Sequence, residues 1–512
     1  MGFYTLLPVL VAVGLSLWTK RAVFSLFCGV FLGALLLQNG NPITATWYLV
    51  NHLLLDSLTD ADSMKVILFS LLIAGSVELM RVGQGTQALV NQVVRFATTR
   101  KRALLGTWFA GLLVFFDDYA NCLIVGSSMR PITDKLKISR AKLAYLVDST
   151  AAPVATLALI STWVGYEVSV IDEVFQSLSP MQIQQAGLEN VDAYAFFLQG
   201  LPYRFYPILA LVFGFVIAVT ARDFGPMLVC EQKAQEIEDE LPQEISKNRI
   251  WLGVLPIFLL ICVSLLSLYL QGTQKNPAAT SISEIIAAAD GYDAMLQGSL
   301  ASIISAFFLN LLYQTTQTEM TSAIKEGFLR IAEAIMVLLL AWSIGSVMKE
   351  LGSAEYFIEL LNGKIAVQWL PSLVFILAAG IAFATGTSFG TMGTLMPLAL
   401  PLVIQSDASY EIILAVCSAV LSGATWGDHC SPISDTTVLS STGAGCDHVE
   451  HVQTQMPYAL ISGLISLLCC SLPVGYGFSW EWCLLLGTLL CFGVIFLWGQ
   501  KMNESAKPVA QK

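Results

Sequence analysis

The chain has 512 residues, of which 55% are hydrophobic and only 12% charged, and its net charge is −11; the mean hydropathy is +0.69. A soluble domain carries roughly twice that charged fraction, so water cannot cover this surface and a lipid bilayer is the expected solvent. The acidic balance leaves no basic stripe and excludes nucleic acid as a partner.

The apolar stretches are continuous rather than alternating, which predicts spanning helices and not an outer-membrane barrel. Phe3–Trp18 reads as a first span rather than a cleaved signal, because neither a basic leader nor a small-residue cleavage site accompanies it. Ala22–Leu37 follows across Lys20 and Arg21. Residues 38–63 carry three aspartates and no basic residue, and are expected to be an exterior loop. Val66–Met80 then leads to Arg95, Arg100, Lys101 and Arg102. The positive-inside rule puts these basic loops in the cytoplasm and the N-terminus outside.

Ala103–Ser128 is apolar at both ends but holds Asp117, Asp118 and Asn121 in its middle, with basic residues on both flanks. Both flanks then lie on one side, which predicts a re-entrant hairpin near 103–130. Leu143–Val164 reads as a broken span, interrupted by Asp148-Ser149-Thr150-Ala151-Ala152-Pro153. The acidic stretch to Leu201, with Glu167, Asp172 and Glu173, reads as an exterior loop, and Tyr206–Thr220 returns inside. Residues 222–249 are polar and read as a cytoplasmic linker. The second half repeats the order upside down. Ile250–Leu270, Leu296–Leu312 and Ile331–Val347 precede a second hairpin near 369–404 centred on Thr385–Thr391. A broken span near 410–440 carries Asp428-His429-Cys430-Ser431-Pro432. Pro457–Leu472 exits, and Trp482–Leu497 is an extra helix with a cytoplasmic tail.

The expected architecture is therefore an all-α polytopic membrane protein with an inverted repeat of about 11 transmembrane helices. Two re-entrant hairpins and two broken helices accompany them. The parts are 1–221 and 250–478 as repeats, 222–249 as linker and 479–512 as extra helix and tail. Setting Met129-Arg130-Pro131 on Leu395-Met396-Pro397 places Asn121 opposite Thr387. The expected setting is a bacterial inner membrane.

A carboxylate at bilayer depth costs about 3 kcal/mol or more, so each buried acidic motif needs a reason. Asp117 and Asp118 point about 100° apart on a helix, so one can face a ligand while the other caps the helix start. Asp148, the hydroxyls of Ser149 and Thr150 and carbonyls freed by Pro153 make an oxygen-rich nest suited to a hard cation; a plain proline kink with back-bonded hydroxyls is the alternative. Thr385, Thr387 and Ser388 carry no charge, and close helix packing is their competing explanation. Asp428 beside His429 suits proton exchange, with Ser431, Ser434, Asp435 and Thr436 close behind. His429 is the one histidine placed among these motifs, since His448 and His451 fall in a polar loop and His52 near the outer face. The 11 cysteines lack CxxC or metal-ligand spacing and read as small hydrophobes. No GxSxG or HExxH motif marks an enzyme.

Phe115–Asn121, Asp148–Pro153, Ala384–Ser388 and Gly427–Thr436, in this order, resemble the signature segments of the NhaC family of Na⁺/H⁺ antiporters. The resemblance reaches from the first hairpin to Tyr458. It implies kinship with the ion-transporter superfamily, and with it a scaffold, a moving elevator-type transport part, often a homodimer, and coupling by Na⁺ or H⁺. It leaves open an amino acid or organic acid as cargo. On this footing Na⁺ is expected at Asp118, Asn121 and Asp148, with Asp117, Ser149, Thr150, Asp428 and His429 completing a cation and proton site. Thr385, Thr387, Ser388, Ser431, Ser434, Asp435 and Thr436 are expected to serve a substrate or second ion. Na⁺ and H⁺ are coupling ions and no resident cofactor is expected.

Overall fold

The computed structural model describes residues 3–19, 21–88, 97–189, 191–234, 249–275, 277, 285, 289–352, 356, 366–406, 408–432 and 434–501. The chain order of the main elements is α1 (Leu7–Thr19), α2 (Ala22–Leu37), α3 (Ala61–Val82), α4 (Arg100–Leu113), α5 (Asp118–Lys135), α6 (Arg140–Asp148), α7 (Thr162–Ser177), α8 (Phe205–Thr220) and the strand β1 (Arg222–Asp223). After them come α9 (Trp251–Lys275), α10 (Gly291–Leu312), α11 (Gln317–Glu350), α12 (Leu370–Thr385), α13 (Ser388–Gln405), α14 (Tyr410–Cys430), α15 (Asp435–Ala444), α16 (His448–Gly475), α17 (Trp480–Trp498) and β2 (Gln500–Lys501). Among the described residues nine helices are long and apolar enough to cross a bilayer, or up to eleven if each of two bent pairs is one span. The nine include both arms of the second hairpin. The chain is a multi-pass membrane protein.

Each segment read as a hairpin forms two helices joined at a break. The guanidinium of Arg100, at the start of α4, donates to the Lys137 carbonyl just beyond α5 at 2.9 Å, so the two ends meet. In the second, α12 runs parallel to α14, with Gly423 seated against Phe375–Ala379 and Gly427 against Ala379–Phe383. Its other arm, α13, runs antiparallel to α14: Ser388 Oγ donates to the Ala424 carbonyl at 3.2 Å, and Met396 lies beside Cys417. The arms are therefore antiparallel to each other, and each turns at a capped break. Asp117 caps α5 by accepting from Ala120 N at 2.7 Å, and Thr387 caps α13 by accepting from Gly390 N at 3.3 Å. Gly386 precedes that cap at φ 70°, a left-handed setting glycine adopts without strain.

The caps fix a register for the two halves. Arg100 and Leu370, Asp118 and Ser388, and Arg140 and Tyr410 begin matching helices at a constant step of 270 residues. Asp117 thus stands opposite Thr387, Asn121 opposite Thr391, and Pro131 opposite Pro401. The proline-based superposition set Asn121 against Thr387, one turn away; two prolines in one helix made that choice ambiguous. The halves also cross, with α15 packing along α5 and α7 packing along α13.

Several expected loops are helical. Pro42–Thr59 forms helix, bent 115° from Val23–Leu37. The acidic stretch after Val164 begins with α7, where Glu167 is fully buried and paired with Arg204 at 2.6 Å. Its charge marks a partner rather than solvent. The start of the expected linker is also ordered: β1 pairs with β2, and Gly225–Ala234 is a helix. Asp223 is buried against Lys142 and Tyr458, and Glu231 against Arg100. The rest of that linker, 235–248, the tail beyond 501 and the topogenic residues Lys20 and Arg95 lie outside the described residues.

The close crossing of α5 and α15 depends on Gly126. A Cβ there would sit 2.7 Å from the Gly443 carbonyl carbon and 2.9 Å from Ala444 N, which are backbone atoms with no freedom to yield. We expect Gly126→Leu to destabilise the protein by about 1–3 kcal/mol, as overpacking does. The midpoint of thermal unfolding in detergent, compared with wild type, checks this.

Candidate functional site

The two hairpin tips converge on a cavity of about 500 Å³. One wall is helix α3, with Val77 and Glu78, and helix α11, with Arg330 and Ile331. The opposite wall is made of the tips: Asp117, Asp118, Thr385 and Thr387, with Asp435 and Tyr119 beside them. Tyr119 OH donates to Asp435 Oδ2 at 3.3 Å. On the far wall Glu78 binds Arg330 at 2.7 Å and also Arg81, and Arg81 reaches Glu326 at 2.7 Å. Asp117 spends one oxygen on its cap, while Asp118 sits in the first turn, buried and lining the cavity.

Behind the tips lies Asp428, at the end of α14 and buried. Ser434 Oγ donates to its Oδ1 at 2.8 Å and Thr436 Oγ1 to its Oδ2 at 3.4 Å. It stands within Coulombic reach of both Asp118 and Asp148.

Asp148 ends α6 and faces α16. Its Oδ2 lies 3.2 Å from His451 Nε2 and accepts from Gln455 Nε2 at 2.7 Å. The same Gln455 amide donates to the His429 carbonyl, and His429 Nδ1 meets Tyr206 OH at 2.6 Å. His451 is therefore a buried helix residue beside Asp148, not a loop residue. Its neighbours in sequence, His448 and Glu450, are polar because they open the helix, and that misplaced it.

The expected Na⁺ trio falls into two settings. Asp118 lines the cavity, and Asp148 faces α16. Asn121 donates its amide to the carbonyls of Gly111 (2.8 Å), Val114 (3.3 Å) and Thr150 (2.7 Å), tying both arms of the first hairpin to the break after α6. Ser149 and Thr150 return their hydroxyls to the preceding turn, at Tyr145 O (2.7 Å) and Leu146 O (2.8 Å). Ser388 and Ser431 bond to the Ala424 and Phe383 carbonyls, and Thr385 to Ile381 O. Ser388 and Ser431 thereby join neighbouring helices, while Ser149, Thr150 and Thr385 bond within their own turn.

The sequence reading gives no site role to Glu78, Arg330 or Tyr206, nor to His451, which it puts in a polar loop, or Gln455. The last two carried a signal: spaced four apart, they share one face of a helix otherwise suited to a membrane. The buried carboxylates, the cavity between hairpin tips and the spans together define a membrane transport protein. The sequence profile of the Na⁺/H⁺ antiporter family matches residues 154–472, and the chain belongs to that family. A Haemophilus influenzae protein of uncharacterised role is 33% identical over 89% of this chain and 88% of its own. The malate-2H⁺/Na⁺-lactate antiporter of Bacillus subtilis is 28% identical over 32% of this chain and 34% of its own. In fold, the Alcanivorax borkumensis YdaH transporter superposes with a TM-score of 0.55 at 14% identity, covering 85% of this chain and 90% of that one.

The division of labour between the adjacent aspartates is measurable as stability. Asn caps a helix about as well as Asp, whereas Ala forfeits the cap at a cost of about 0.5–2 kcal/mol. Asp117→Asn should therefore unfold close to wild type in detergent and Asp117→Ala clearly earlier, whatever either does to transport.

Proposed function

We propose that the protein is a secondary transporter exchanging Na⁺ for H⁺ at carboxylates on the hairpin tips and the broken spans. The observation that carries this is the lack of counter-charge. Asp118 and Asp428 are buried, and among the described residues neither has an ion-pair partner. A buried carboxylate is tolerated when it holds a proton or a cation. One group that must hold either, and cannot hold both, performs antiport by competition. Alternation of the site between the two faces follows from an inverted repeat, which the 270-residue step and the crossed packing of α7 and α15 support. A moving tip-bearing body and a fixed wall of α3 and α11 make an elevator, in a bacterial inner membrane with the N-terminus outside and the C-terminus in the cytoplasm. A homodimer is the assembly the family resemblance implies.

A second reading has its own observation. Na⁺ does not need a cavity of about 500 Å³, which is within the range that holds small organic molecules. Arg330 lines it, and a relative carries malate and lactate by name. An organic acid or amino acid travelling with the ions is the alternative cargo.

Purified protein in proton-loaded vesicles containing a pH-sensitive dye separates the two. External NaCl alone should dissipate the proton gradient in wild type, and Asp118→Asn and Asp428→Asn should each fall to the rate of empty vesicles. A strict need for added organic anion before protons move would sink simple exchange and favour the second reading. Full activity in both variants would sink the proposed carboxylates.

A further inference from the structure

Helices α7 and α11 run side by side in the same direction, joined by three polar rungs at successive turns. Trp342 Nε1 donates to Ser169 Oγ at 3.3 Å, Ser346 Oγ to Glu173 Oε1 at 3.2 Å, and Lys349 Nζ to the Gln176 carbonyl at 2.8 Å. The offset is 173 residues at every rung, so the spacing along one helix is copied along the other. Gly345 lies beside the middle rung, where a Cβ would come 3.0 Å from Glu173 Cγ, and its lack of one lets the helices approach closely.

The two helices are fastened to different sides of the cavity. The start of α7 is bound to both hairpin tips: Thr162 N donates to the Phe116 carbonyl at 3.1 Å, and Tyr166 OH to the Phe389 carbonyl at 2.6 Å. Helix α11 instead supplies the opposite wall, through Arg330 and Ile331. The rungs therefore bridge the tips and the wall. Their partners are unevenly matched. The Lys349 ammonium is spent on a neutral carbonyl, although Glu173, the one carboxylate in the ladder, stands a turn away and takes a neutral hydroxyl. A hydrogen bond between two charged groups is the stronger kind. Displacing α7 by one turn, about 5.4 Å, toward its own C-terminus would bring Glu173 opposite Lys349 and Ser169 opposite Ser346. The opposite displacement would put Lys349 beyond Ser177, where α7 ends. A cavity of about 50 Å³ bounded by Glu173, Lys349 and Pro397 leaves the two charged side chains room to re-pair.

We propose that α7 and α11 form a two-position ratchet, whose second position is a Glu173–Lys349 ion pair reached when α7 moves one turn along α11. Packed helices exchange between discrete registers rather than sliding continuously, and a one-turn step is a known size for such a change. This rests on the reading that the tips move as a body against a fixed wall. It gives that movement a step length, a direction along α7 and two residues that hold its far end.

The test is thiol cross-linking of the full-length protein in vesicles, with the joined residues identified by mass spectrometry of the digest. Ser346→Cys with Glu173→Cys reports the register seen here, and Ser346→Cys with Ser169→Cys reports the shifted one. Ser346→Cys with Ser177→Cys reports a step the other way. The first two pairs should both join and the third should not. Adding Glu173→Gln or Lys349→Gln to the Ser169 pair should lower its yield by about two- to fivefold, the range that a partly exposed ion pair supports. The two substitutions lie on different helices, so one that fails to fold leaves the other to decide. A Ser169 pair that never joins while the Glu173 pair does overturns the ratchet. So does a Ser169 yield that neither substitution lowers, or joining of the Ser177 pair in its place. Na⁺-driven proton movement in the same vesicles keeps the two readings apart. Both registers without exchange would sink exchange and keep the ratchet, whereas exchange with the first register alone would sink the ratchet alone.

Discussion

A helix that stops inside an apolar body leaves carbonyls and amides that no water can satisfy, and this protein stops helices there repeatedly. The Asn121 amide answers the need at the first hairpin. It binds the last carbonyls of α4 and the carbonyl of Thr150, so one side chain closes the hairpin and fastens it to the neighbouring broken span. The Thr162 amide completes the joint by donating to the Phe116 carbonyl at 3.1 Å. The second half solves the same problem with hydroxyls. Thr387 caps α13, Ser388 binds Ala424 O and Ser431 binds Phe383 O at 2.7 Å. The polar residues that draw attention in the sequence thus serve two ends. Most satisfy backbone, while Asp118 and Asp428 are left without an ion-pair partner among the described residues.

Charge elsewhere in the interior is matched. Lys142 is buried against Asp223, which also accepts from Tyr458 OH at 2.8 Å, and Arg100 is buried against Glu231. Arg204 joins Glu167 and Thr156 where α7 begins and lies over Phe197 at 4.4 Å. Removing one member of such a pair strands a buried charge at a cost of roughly 3–5 kcal/mol. These pairs sit at hairpin bases and helix junctions, where a rigid connection is needed. At the tips Asp118 has no such partner among the described residues, and that contrast within one chain is what the proposed exchange rests on.

Much of this was legible in the sequence. Basic flanks on both sides of an apolar segment pointed to the helix pair Arg100–Leu113 and Asp118–Lys135, and the Thr/Gly/Ser run at Thr385–Thr391 to the break between Leu370–Thr385 and Ser388–Gln405. The acidic motifs located the breaks. What escaped has one physical cause: a charged or polar residue looks solvated until its partner is known. Glu167 read as loop because Arg204 is 37 residues away, and His451 did because Asp148 is 303 residues away. The 270-residue spacing of the helix starts escaped for a different reason. α13 has prolines at 397 and 401, and the sequence offers no reason to prefer one, whereas the N-caps at Asp117 and Thr387 leave no choice.

The cavity walls differ in charge, and the proposed exchange makes use of that difference. On α3 and α11 two guanidinium groups, Arg81 and Arg330, balance two carboxylates, Glu78 and Glu326. That wall is self-neutralised and holds no net attraction for an arriving cation. On the tip side Asp118 and Asp435 face the same space with no ion-pair partner among the described residues. In that proposal a cation or proton entering the cavity would be drawn to the tips, and loading would remove charge from that side only. Carrying an uncompensated carboxylate past an apolar wall is costly, while carrying a neutralised one is not. A tip-bearing body that slides along α3 and α11 would move readily when loaded with Na⁺ or H⁺ and poorly when empty. Under that arrangement strict coupling needs no separate gate, because the unloaded charge is itself the barrier.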